Sequence, residues 1–165
     1  MRVVLIAAIT ADGFIARSNP EISTSWTSPE DTKFYVGMTK ELGVMIMGST
    51  TFKTIGKALP GRRNMVYSSK TINVEGIETV SEDPKALIKR LENDGHESVA
   101  ICGGSAIYDM FLQAGLIDEL YLTIEPVIFG NGVSLFRNEQ DNLLELQSVK
   151  NLSDQTVVLH YKTKR

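Results

Sequence analysis

The sequence predicts a single-domain α/β fold: a mostly parallel central sheet flanked by helices, with an antiparallel hairpin at its C-terminal edge. Three observations carry this expectation. Short apolar runs alternate with amphipathic stretches, and strands that alternate with helices require crossovers, which make parallel neighbours covered on both faces. The first run, Val3-Val4-Leu5-Ile6-Ala7-Ala8-Ile9, is apolar without alternation, as a strand buried on both faces must be. The last two runs, residues 143–149 and 156–161, follow one another with no helix between them, the pattern of a hairpin closing one edge.

The remaining elements follow in order. Val44-Met45-Ile46-Met47, Asn64-Met65-Val66-Tyr67, Val99-Ala100-Ile101-Cys102 and Leu120-Tyr121-Leu122-Thr123-Ile124 read as strands. Ser28-Pro29-Glu30-Asp31 opens a helix, with Ser as N-cap, Pro at the first position and acids in the first turn. After Asp83-Pro84, Leu87 and Leu91 share a helix face that stops at Gly95; Ile107 and Phe111 share another that stops at Gly115. Asp12-Gly13 is a turn, and the polar, aperiodic segment 17–25 is a loop long enough to suggest a functional role. No repeat, low-complexity tract or linker divides the chain, so one domain over residues 1–165 is expected.

Composition narrows the chemistry. With 17 Lys+Arg against 20 Asp+Glu the net charge is −3, which offers no electrostatic reason to bind nucleic acid or anionic membrane. The opening run is too short to span a bilayer and lacks the pattern of a signal peptide, so a cytoplasmic protein is expected, monomer or homodimer. One Cys and two His (His96 and His160) cannot build a thiolate or imidazole metal site, and no metal is expected. Residues 120–129 suit a dimer edge and a strand covered by the final hairpin equally well.

Two features stand out as chemical. Tyr35, Met38 and Leu42 fall on one helix face, and Asp31 lies four and seven residues before the first two, so it points into the same apolar stripe; Glu30 turns to solvent. Asp31 either completes a capping box with Ser28 or is a carboxylate with partners or a raised pKa, useful as a proton donor. The second feature is a pair of strand-to-helix junctions, Met47-Gly48-Ser49-Thr50-Thr51 and Cys102-Gly103-Gly104-Ser105-Ala106. Glycine admits a ligand close to the backbone and helix N-termini favour phosphate, so the pair suits a diphosphate, although tight βα turns use Gly and Ser without any ligand. Neither matches G-x-G-x-x-G, which disfavours a conventional Rossmann reading.

The run Met47-Gly48-Ser49-Thr50-Thr51-Phe52-Lys53-Thr54-Ile55-Gly56-Lys57-Ala58-Leu59-Pro60-Gly61-Arg62-Arg63-Asn64 resembles the central signature of the dihydrofolate reductase family. Trp26-x-x-Pro29-x-Asp31 resembles its substrate-side motif. Cys102-Gly103-Gly104 with Tyr108, then Leu120-Tyr121-Leu122-Thr123, resembles its later segments, and the matches are collinear over most of residues 1–136. The resemblance implies NADPH-dependent reduction of 7,8-dihydrofolate to 5,6,7,8-tetrahydrofolate, with hydride passing to pterin C6.

By the same resemblance, Asp31 would anchor the pterin through its N3 and 2-amino group and assist protonation of N5. Trp26 would help hold the water between them, and Thr123 would hydrogen-bond the carboxylate. Ile6 and Cys102 would offer backbone carbonyls to the pterin edge, beside Ala7, Thr51 and Tyr108. Tyr35, Ile55 and Leu59 would enclose pterin and aminobenzoyl, and Arg62 would pair with the glutamate α-carboxylate. Apart from the resemblance, Trp26 reads as a core anchor and Arg62 as a surface charge in a Pro-Gly turn. For the cofactor, Ala8 would present its backbone to the nicotinamide carboxamide, and Ile15 and Tyr108 would position the ring. Thr50, Thr51, Gly104, Ser105, Ala106 and Ile107 would bind the diphosphate, with Gly48, Ser49, Cys102 and Gly103 completing the site. Ser68, Ser69 and Lys70 would lie by the adenine ribose.

The chain departs from the family at Ser49 and Ala106, where basic residues commonly contact the 2′-phosphate, so NADH is not excluded as cofactor. The loop 17–25 is a few residues longer than usual and has no Met to act as a lid. A second set of segments, Ala11-Asp12-Gly13-Phe14-Ile15-Ala16, Gly115-Leu116-Ile117-Asp118-Glu119-Leu120 and Pro126-Val127-Ile128-Phe129-Gly130-Asn131-Gly132, resembles the related pyrimidine reductase of riboflavin synthesis. That relative reduces a phosphoribosylaminopyrimidine and is not expected to combine Trp26, Asp31 and Pro60-Gly61-Arg62. A non-catalytic pterin- or nucleotide-binding protein is the third reading. Lys70 is the nearest basic residue by sequence to replace the two missing ones. Lys70→Ala is therefore expected to lower the ratio of NADPH to NADH affinity in paired titrations; an unchanged ratio rejects that role.

Overall fold

The computed structural model describes residues 1–164. Its main sheet contains β1 (Arg2–Thr10), β3 (Val44–Gly48), β4 (Arg63–Tyr67), β5 (Ile77–Val80), β6 (Ser98–Ile101), β7 (Glu119–Glu125), β9 (Leu144–Asn151) and β10 (Val157–Thr163). Their order is β5-β4-β3-β6-β1-β7-β10-β9. Every neighbour pair from β5 to β7 is parallel, and β10 then pairs antiparallel with both β7 and β9. A separate antiparallel pair joins β2 (Phe14–Ala16) to β8 (Val133–Ser134). The helices are α1 (Pro29–Leu42), α2 (Ser49–Ile55), α3 (Pro84–Asn93) and α4 (Ser105–Gln113).

The unbroken apolar run of β1 is explained by layers on both sides of it. Val3, Leu5 and Ala7 pack with Leu87 and Leu91 of α3 and Phe111 of α4. Val4 and Ile6 face the other way, toward Leu42 of α1 and Phe52 of α2. Alternate residues thus serve two cores, so period-2 polarity has no place in this strand.

Three short strands are absent from the sequence reading. β5 is mostly half-buried, and β2 and β8 are three and two residues long, too short to display a period. Cys102 falls just beyond β6 rather than inside it, although its N–H still donates to the Ile46 carbonyl at 2.8 Å. β7 lies between β1 and β10, so residues 120–125 belong to the sheet interior; the edge on that side is β9, whose eight residues are all exposed. His160 sits 2.8 Å from Glu119 and stacks on Tyr121, and His96 contacts Arg63, both away from the carboxyl ends of β1, β3 and β6. Among the described residues no helix is long and apolar enough to cross a membrane.

Parallel pairing has one consequence for chemistry. β1, β3 and β6 end on the same side of the sheet, and α1, α2 and α4 begin there. Polar groups at these strand ends and helix starts converge.

Candidate active site

The two glycine junctions touch. The Gly48 N–H donates to the Gly103 carbonyl at 2.7 Å, which sets the starts of α2 and α4 side by side. Gly103 has φ +99°, and a Cβ there would stand 3.0 Å from the Tyr108 hydroxyl; one at Gly48 would meet Ile107 at 3.1 Å. Gly103 thus has a backbone conformation that favours glycine, and Gly48 leaves little room beside Ile107. The N-caps of α2 and α4 are Gly48 and Gly104, with no side-chain cap, whereas Ser28 and Asp83 cap α1 and α3. The first turn of α4 thus presents N–H groups that no capping side chain satisfies.

A cleft of about 520 Å³ opens over this contact, a size that suits a small-molecule site. Ile6, Ala7, Ala8 and Ile15 line it, together with Asp31, Tyr35, Ile55 and Leu59. Gly48, Ser49, Thr50 and Thr51 form part of the opposite wall, with Cys102, Gly103, Gly104, Ser105, Ala106, Ile107 and Tyr108. Other expected residues stand outside the lining. Thr123 is buried behind Asp31. Trp26 packs edge-on against Phe129 with ring centroids 5.2 Å apart, and its buried indole N–H has no partner among the described residues. Arg62 gives its guanidinium to the Thr39 hydroxyl and the Pro60 carbonyl. Ser68, Ser69 and Lys70 line a second, more open recess that begins where β4 ends.

Asp31 is the buried acid of the cleft, 8% exposed. Half of the capping box forms: the Ser28 hydroxyl accepts the Asp31 backbone N–H at 3.2 Å. The reciprocal half goes to another residue. Glu125, 2% exposed at the end of β7, accepts the Ser28 N–H at 2.8 Å and the Ser28 hydroxyl at 2.7 Å. Its second oxygen accepts from the Thr156 hydroxyl at 3.1 Å. With the Ser28 N–H so engaged, the Asp31 carboxyl faces the cleft. Burial raises the Asp31 pKa above the ordinary aspartate range; interaction with Thr123 works against this, and the nearby Glu125 charge works with it.

Two phenols and a thiol surround this acid. The Tyr108 hydroxyl donates to the Ile6 carbonyl at 2.8 Å. Burial raises the Tyr108 and Tyr35 pKa values well above the usual phenol range, with Cys102 adding to both. Burial likewise pushes the Cys102 thiol up to about 12, so it is a neutral side chain rather than a nucleophile. The cleft therefore holds one carboxyl whose proton affinity burial raises, Asp31, beside an uncapped helix start suited to an anion.

The sequence reading missed Glu125 and Arg137, the latter also a lining residue. Glu125 had a signal: on a strand it shares a face with Thr123 and Tyr121, the face toward α1. Arg137, in an irregular segment, had none.

The family model for dihydrofolate reductase matches residues 2–156. The chain belongs to the dihydrofolate reductase family. The type 3 dihydrofolate reductase of Salmonella typhimurium is 35% identical over 124 residues, covering 74% of this chain and 71% of that one. Among solved structures, a pyrimidine reductase-like protein from Corynebacterium diphtheriae aligns with TM-score 0.80 at 16% identity, over 99% of this chain and 92% of that one. Dihydrofolate reductase from Enterococcus faecalis, complexed with NADP(H) and RAB-propyl, aligns with TM-score 0.74 at 22% identity, over 99% and 97%. The fold is thus common to dihydrofolate reductases and pyrimidine reductases, and the family is one of oxidoreductases.

The raised pKa of Asp31 means that the folded state binds its proton more tightly than the unfolded chain. Its contribution to stability is therefore lost as pH rises from the ordinary value of 3.8 through the higher folded value. Asp31→Asn is expected to be more stable than wild type at neutral pH, with the difference vanishing below the ordinary value; urea titrations across pH measure this. Glu125→Ala, which strips Ser28 and Thr156 of their acceptor, is expected to cost about 1–3 kcal/mol. Glu125→Gln keeps an acceptor but removes the charge, so the Asp31 carboxyl is expected to titrate lower, as carbon NMR of the carboxyls would record.

Proposed function

We propose that this chain is an NADPH-dependent dihydrofolate reductase of the cytoplasm, converting 7,8-dihydrofolate to 5,6,7,8-tetrahydrofolate. The observation that carries the reading is Asp31, a buried carboxyl released from its cap by Glu125 and turned into a largely apolar cleft. The opposite wall fits a dinucleotide by its donor chemistry. The hydroxyls of Ser49, Thr50, Thr51 and Ser105, with the uncapped start of α4, suit a diphosphate, and Gly48, Gly103 and Gly104 leave it room. NADPH, when bound, supplies the hydride.

The chain's own residues bind, orient and manage one proton. Asp31 holds the pterin N3 and 2-amino group, with Thr123 supporting the carboxyl from behind. Burial raises its proton affinity above that of an exposed aspartate, which favours it as the proton donor for N5. Ile6 and Cys102 present backbone carbonyls, and the Tyr108 hydrogen bond fixes the direction of the first. Tyr35, Ile55 and Leu59 keep water from the ring, Ala8 holds the carboxamide, and Ile15 and Tyr108 orient the nicotinamide.

Trp26 and Arg62 favour a second reading, the pyrimidine reductase, because neither lines the cleft although both serve folate in the first. The decay of NADPH absorbance with dihydrofolate, repeated with a diaminopyrimidine inhibitor, separates the readings. Inhibitable decay is expected, and Asp31→Asn should lower its rate about 10²-fold or more near neutral pH. No decay at high enzyme concentration rejects the proposal. Turnover of a phosphoribosylaminopyrimidine in its place supports the second reading, and dihydrofolate uptake without turnover supports a binding protein.

A further inference from the structure

A dinucleotide brings the negative charge of its diphosphate, and the wall that suits it, at the starts of α2 and α4, is lined by Ser49, Thr50, Thr51, Ser105 and Ala106, none of which is charged. Among the described residues that line the cleft, the charged side chains are Glu21, Asp31 and Arg137, so Arg137 is the one cation.

The backbone that carries Arg137 is held by buried groups. It lies between β8 and β9 in a segment without regular structure, but α4 fastens that segment at two points. The Ser105 hydroxyl donates to the Ser134 carbonyl at 2.5 Å. The Asp109 carboxylate accepts the Arg137 backbone N–H at 3.0 Å, the Asn138 amide at 3.1 Å and the Gln140 amide at 3.3 Å. Ser105 and Asp109 stand four residues apart, on one face of α4, and both are buried. A carboxylate among Tyr108, Phe111 and Leu112 would be costly without partners, and the partners found are those that hold Arg137 in place. The Arg137 guanidinium itself forms no ion pair among the described residues.

The attachment of this segment identifies the ligand group. Ser105, the first residue of α4, holds Ser134 three residues before Arg137, so the segment that carries Arg137 runs beside the start of that helix. Lys70 follows β4, with β3 and β6 standing between that strand and β1. Lys70 lines a separate recess, whereas Arg137 lines the cleft itself.

We propose that Arg137 pairs with the diphosphate of the nicotinamide dinucleotide, and that Asp109 and Ser105 are positioning residues for the segment that carries it. The proposal rests on the dinucleotide half of the reading above. NADPH and NADH share the diphosphate, so Arg137 sets the affinity for both and leaves their ratio to other residues.

Calorimetric titration of NADPH and of NADH into wild type, Arg137→Gln and Arg137→Lys tests this without turnover. Arg137→Gln should weaken both dinucleotides by a similar factor, about tenfold or more, as loss of a charge-assisted contact does. Arg137→Lys should recover part of the loss, because it keeps the charge but not the fork of donors. The unliganded melting temperature of Arg137→Gln should match wild type, since the removed guanidinium holds no internal ion pair. Unchanged affinity for both dinucleotides in Arg137→Gln overturns the proposal while the reductase reading stands. A loss confined to NADPH also overturns it, by moving the contact to the 2′-phosphate. A wild type that binds neither dinucleotide overturns the reductase reading itself, and this proposal with it.

Discussion

Burial of β1 on both faces is the constraint on which the rest of the molecule depends. From Val3 to Ala7 every residue is buried, and a polar side chain in that stretch would give up water with nothing to replace it. Polar chemistry is thereby confined to the strand ends. Parallel pairing then brings the ends of β1, β3 and β6 to one side, where the contact between Gly48 and Gly103 joins two of them directly. The position of the cleft follows from the sheet before any individual side chain is considered.

Buried carboxylates organise what surrounds this contact. Glu125 has its oxygens occupied by Ser28 and Thr156 and so ties the start of α1 to β7 and to the final hairpin region. Asp109 has its oxygens occupied by the segment at 137–140. Asp31 differs from both. Among the described residues it has no such set of backbone and amide donors, and burial shifts its proton affinity upward. The same cost of burying charge that makes Glu125 and Asp109 structural leaves Asp31 as the acid available for chemistry.

Much of this was legible in the chain itself, and the reasons are specific. Ser28-Pro29 marks a helix start whatever lies around it, since capping is a local interaction, and the αL glycines at Gly95 and Gly115 end helices for an equally local reason. The phase of Asp31 with Tyr35, Met38 and Leu42 already placed it on the inward stripe of α1. β5, β2 and β8 were not legible: their few residues form strands because neighbours offer hydrogen bonds, not because a period demands it.

The sequence by itself determined the element types, the parallel core, the inward phase of Asp31 and the two glycine junctions, because each depends on periodicity or on local backbone preference. Only the tertiary structure decided which half of the Ser28 capping box would form, because the competing acceptor, Glu125, lies 97 residues away along the chain. It also decided that Trp26 packs on Phe129, that Arg62 turns to Thr39, and that Arg137 reaches the cleft through Asp109. Each of those outcomes is a choice among partners distant in sequence, and only packing brings such partners within hydrogen-bonding or van der Waals range.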